Sequence, residues 1–118
     1  MLFKKRGYEV TLNRVHDNIT IRESGETLKL SVNGDAFRMV AGLTKAQAKM
    51  KDLTEDSPEE EVKDVAEYFA AVIFGKEGAE ELMKFYADDP GCVISVCGRY
   101  FKERLAGKIA EVQKKTRV

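Results

Sequence analysis

The sequence predicts an α+β fold: an N-terminal three-stranded antiparallel meander followed by about four helices, together forming one compact domain. Three observations predict it. Apolar residues alternate strictly between Tyr8 and Val32 and recur at helical spacing from about Ala36 onward. Two proline-marked helix starts, Ser57-Pro58 and Asp89-Pro90, punctuate the second half. A chain of 118 residues with 43% hydrophobic content is long enough to bury a core without disulfides or metals. The expected layout is a basic N-terminal tail (1–7), the β meander (8–34), a helical part (35–114) and a basic C-terminal tail (115–118).

Alternation places Tyr8, Val10 and Leu12, then Ile19 and Ile21, then Leu28, Leu30 and Val32 on one face, and a small sheet with one apolar face needs helices to cover it. The strands expected are Tyr8 to Arg14, Asn18 to Glu23 and Thr27 to Asn33. Val15, His16 and Asp17 form the first connection, and Ser24, Gly25 and Glu26 the hairpin link. Asp35 is placed to cap a first helix that runs to about Leu53 and carries Phe37, Val40, Ala41, Leu43 or Thr44, and Ala48 as its apolar residues, with Gly42 as a weak point.

Ser57-Pro58-Glu59-Glu60 reads as a capping box with serine at N-cap, so Ser57→Ala is expected to cost about 1 kcal/mol. The apolar stripe that follows is Val62, Val65, Ala66, Phe69, Val72 and Ile73, and Gly75 stands where a left-handed cap would end the helix. A shorter helix is expected over residues 76–88. The last helix runs from about Pro90, capped by Asp88 or Asp89, toward Lys114, with Val93, Val96, Cys97, Tyr100, Phe101, Leu105, Ile109 and Val112 inward.

Twenty basic and twenty acidic residues balance to zero, which removes the electrostatic reason to expect nucleic-acid binding. The distribution is uneven: both termini are basic, and Asp52 to Glu67 is strongly acidic. The opening Met1 to Arg6 runs from apolar to basic, the reverse of a secretory signal, and no apolar run reaches membrane-spanning length, so a cytoplasmic protein with no membrane partner is expected.

Catalytic chemistry finds little support. His16 is the one imidazole and reads as a surface turn residue. Cys92 and Cys97, five apart, point to different sides of a helix, about 500° of rotation from one another, and read as small hydrophobes. The paired carboxylates occupy helix starts, and no glycine-rich loop has phosphate-binding spacing. No enzyme activity, cofactor or metal is therefore expected. The stronger hint is a surplus of large apolar residues between Glu81 and Arg104, more than one face of each helix requires. Phe85, Tyr86, Ile94 and Phe101 are the candidate protein-binding contacts, and a homo-oligomer is expected.

The block Tyr68-Phe69-Ala70-Ala71-Val72-Ile73-Phe74-Gly75-Lys76-Glu77-Gly78-Ala79-Glu80-Glu81-Leu82, with Phe85 to Pro90 and Val93 to Phe101, resembles small proteins of the tail gene clusters of prophages and siphophages of Gram-positive bacteria. In layout these are similar to phage tail assembly chaperones, and the resemblance covers roughly residues 27–113. It implies a bacterial cytoplasmic protein that keeps the tape measure protein or tail tube subunits soluble and placed during assembly, with no catalytic residues to carry over. The regular N-terminal meander and the basic C-terminus depart from that pattern. Either would also suit a self-associating structural tail or neck component that stays with the virion.

Overall fold

A computed structural model describes residues 13–116. Strand β1 (Arg14–Glu23) and strand β2 (Glu26–Asp35) form an antiparallel hairpin in unbroken register from Arg14 opposite Asp35 to Glu23 opposite Glu26. Ser24 and Gly25, at φ 51° and 80°, make the tight two-residue turn with positive φ at both positions that suits the twist of a hairpin. Helix α1 (Ala36–Lys51), helix α2 (Glu59–Phe85), helix α3 (Pro90–Tyr100), a π-helical turn (Phe101–Leu105) and helix α4 (Ala106–Thr116) follow. The last three are continuous, so the described residues form three helical rods.

The α+β class is as expected, but among the described residues the sheet has two strands and not three, and the helices are grouped in three rods and not four. The turn expected at Val15 to Asp17 is absent because these residues continue β1. Val15 is buried, Asp17 points inward, and Ile19 and Ile21 extend the same alternation. An inward-facing aspartate hid that continuity. Most of the expected strand at Tyr8 to Arg14 lies outside the described residues.

Glu59–Phe85 is one rod only across a break: Gly75 (φ 81°, ψ 171°) is non-helical, so the helix end expected there is a kink between two helical limbs, and the helix expected over 76–88 is the second limb of α2. That backbone conformation is open essentially to glycine alone. The limbs on either side bury Val65, Ala66, Phe69, Ala70, Ile73 and Phe74, then Ala79, Leu82 and Met83.

Helix starts divide between agreement and correction. Asp35 caps α1 by accepting from Arg38 N–H at 3.2 Å, and Asp89 caps α3 by accepting from Gly91 and Cys92 N–H at 3.0 and 3.3 Å. Ser57 does not cap α2. Its hydroxyl accepts from Thr54 N–H at 2.8 Å in the preceding turn, and Pro58 stands at the N-cap with no side-chain bond. The acids Glu59, Glu60 and Glu61 still occupy the positive end of the helix.

The face of α1 also differs from the expected stripe. Ala36, Met39 and Ala46 are buried, with Leu43 and Met50 packed against the core, whereas Phe37 is 56% and Val40 38% exposed. Gly34 leaves room for Met39 over the sheet, since a Cβ there would stand 2.7 Å from Met39 Cε. Gly42 permits the close approach of α1 to α2. Val15, Leu30 and Val32 of the hairpin join Leu82, Val93, Cys97, Leu105 and Ile109 in one buried cluster.

In the last rod the buried residues are Val93, Cys97, Tyr100, Leu105 and Ile109. The step of five between Tyr100 and Leu105 is one too long for α-helical spacing. The π turn absorbs it, with Ala106 N–H donating to Phe101 C=O, and returns Leu105 to the buried face.

Candidate functional site

Two concavities flank the last rod, and they differ in chemistry. One is an apolar groove of about 450 Å³ between α1, α2 and the last rod. Val40, Leu43 and Met50 form its α1 wall, Phe69 of α2 its floor, and Ile94, Phe101, Ala106 and Ile109 its far wall. Thr44, Gln47, Gln113 and Lys102 supply its polar groups, and among the described residues no acidic side chain lines it. The π turn sets the far wall, because Phe101 and Lys102 face the groove while Leu105 reaches the core.

The other is an open and more polar cleft, of mixed lining, of about 1080 Å³ between β1 and α3, lined by Asn18 to Glu23 on one side and by Tyr86, Cys92, Ser95, Arg99 and Tyr100 among others on the opposite side. Two tyrosine hydroxyls tie its walls together. Tyr86 donates to Glu23 at 2.7 Å, and Tyr100 donates to Asp17 at 2.7 Å. The Asp17 side chain is only 6% exposed and also accepts from Arg104 Nη2 at 2.7 Å. Burial and then the bond to Glu23 push the Tyr86 phenol up to about 12. Burial and the Asp17 carboxylate raise Tyr100 as well. Both therefore remain neutral donors at ordinary pH and act as fasteners of the hairpin.

The residues able to do nucleophilic or acid–base chemistry are poorly placed for it. The Cys92 thiol is raised by its hydrogen bond to Asp89, and burial pushes the Cys97 thiol up to about 12. Neither is activated as a thiolate. Both cysteines are free, His16 is exposed on β1, and among the described residues no group of three potential ligands is placed to hold a metal ion.

The four expected contact residues do not form one surface. Ile94 and Phe101 meet in the apolar groove. Tyr86 lines the polar cleft, and Phe85 is half-buried with its ring edge-on to Tyr86, 5.1 Å between centroids. Sequence reading missed the α1 wall because it counted Val40 simply among the apolar residues of the first helix, without separating a buried from an exposed face. The signal was present: Ala36, Met39, Leu43, Ala46 and Met50 recur at alternating steps of three and four, a more complete buried stripe that leaves Phe37 and Val40 outside. Asp17 was missed as a polar residue within a strand.

Comparison with protein-family models, with curated proteins and with solved structures finds no match. Among the described residues no helix is long and apolar enough to cross a membrane.

Proposed function

We propose that this chain is a non-enzymatic binding protein of phage tail morphogenesis, an assembly chaperone that holds an apolar helical segment of the tape measure or tail tube protein in the bacterial cytoplasm. The observation that carries the reading is the apolar groove between α1 and the last rod, into which Ile94 and Phe101 project. A groove walled by helices and lined by aliphatic and aromatic side chains accepts the apolar face of another helix. The tail-gene resemblance of Tyr68 to Phe101 supplies the biological setting.

The test is coexpression with a tape measure protein from the genome that encodes this chain, measuring retention of the pair. Ile94→Ala and Phe101→Ala, each checked for folding, are expected to weaken retention at least tenfold, as loss of a buried anchor does. No association with the unaltered chain refutes the chaperone reading. A second reading, a self-associating structural tail or neck component, is favoured by the exposure of Phe37 and Val40 beside the groove. Its mark is presence of the chain in purified particles.

A further inference from the structure

The charge around the apolar groove says what kind of helix fits it. Helix α1 carries Arg38, Lys45, Lys49 and Lys51 and no acidic residue. Lys51 stands one turn beyond Gln47 on the groove-facing side, and Lys102 lines the opposite wall. None of the acids of the neighbouring helix α2, Glu59, Glu60 and Glu61 among them, enters the lining. The apolar surface also continues past the groove, because Phe37 is one turn before Val40 on α1 and is 56% exposed. From Phe37 to Met50 the helix offers about 20 Å of face, the length of roughly four helical turns.

We propose that the groove takes an amphipathic helix of about four turns whose apolar stripe is flanked by Asp and Glu. This rests on the reading of the groove as a helix-binding site and adds the chemistry of its occupant. The apolar stripe settles on Val40, Phe69, Ile94 and Phe101, and the acidic flanks meet Lys102 of the lining and Lys51, which is exposed at the end of α1 one turn beyond Gln47. A second copy docked through the same face would bring together two grooves that each carry Lys102 and, among the described residues, no acidic lining residue, which opposes that pairing.

The experiment uses the full chain and two fluorescein-labelled helical peptides of about sixteen residues with the same leucine stripe, one flanked by glutamate and the other by lysine. Fluorescence anisotropy is expected to show the glutamate peptide binding at least tenfold more tightly at low salt, with the preference shrinking in about 0.5 M salt. The double charge reversal Lys51→Glu and Lys102→Glu, at two exposed positions, is expected to invert the preference, and Val40→Glu to weaken both peptides. Equal binding of the two peptides, a lysine preference, or a glutamate preference untouched by the charge reversal overturns the proposal. So does a dimer that Val40→Glu dissolves. Retention of the tape measure protein unaffected by these substitutions overturns this proposal and leaves the chaperone reading standing. Glutamate-peptide binding without tape measure retention does the opposite.

Discussion

Gly42→Ala is expected to destabilise the protein, although alanine is the better helix former. Propensity alone favours the substitution by about 1 kcal/mol. The added Cβ, however, would lie 2.8 and 2.9 Å from the two Cγ atoms of Val72, where α1 crosses α2. Val72 cannot easily turn away, because a β-branched side chain in a helix has essentially one rotamer. Overpacking of this kind costs about 1–3 kcal/mol, so the net effect is a loss of about 1 kcal/mol. For a domain of this size that is a fall of roughly 3–5 °C in Tm. The assay is thermal and urea denaturation of a double-mutant cycle with Val72→Ala. In the Val72→Ala background Gly42→Ala is expected to become neutral or stabilising, giving a coupling of about 1 kcal/mol or more. A stabilised single mutant, or strict additivity in the cycle, would refute the claim that contact with Val72 sets the sign.

Two other glycines should respond in opposite directions. Gly107→Ala, whose Cβ meets nothing within 4 Å, is expected to raise stability by about 1 kcal/mol, and Gly75→Ala, at φ 81°, to lower it by about 1–3 kcal/mol, both read from urea midpoints. Asp17→Ala, which strands the Tyr100 hydroxyl and frees Arg104, is expected to cost about 2 kcal/mol by the same measurement. The Cys97 thiol is held protonated by burial, so its contribution to stability is complete below its ordinary pKa of 9.0 and is lost as pH rises toward about 12; denaturation midpoints should fall over that window, less steeply in Cys97→Ala.

Much of the fold was legible because local signals and the buried pattern agreed. Asp35 and Asp89 cap where a short acceptor before an apolar run should, and Ser24-Gly25 turns where a glycine link between alternating segments should. The failures share one cause: local chemistry reported a boundary that tertiary packing overrode. Asp17 looked like turn chemistry but is a strand residue whose partners, Tyr100 and Arg104, lie more than eighty positions away. Ser57 has the spacing of a cap, yet its hydroxyl is taken by Thr54. Of the site, Ile94 and Phe101 were recognisable as surplus to the buried stripe, whereas Val40 became part of a wall only through the way α1 rolls on Met39 and Ala46.

The π turn gives the last helix a length tolerance. It holds one residue more than an α-helix needs between Tyr100 and Leu105, and Glu103 within it has a side chain 61% exposed. Deleting Glu103 would bring that leucine four positions after Tyr100, ordinary α-helical spacing, and leave the downstream half in phase with the upstream half. The shortened chain is expected to fold with a nearly unchanged denaturation midpoint, its loss falling on the lie of Phe101 and Lys102 along the groove. At this place the chain can lose a residue without losing its frame, so the shape of the groove wall can vary independently of the core beneath it.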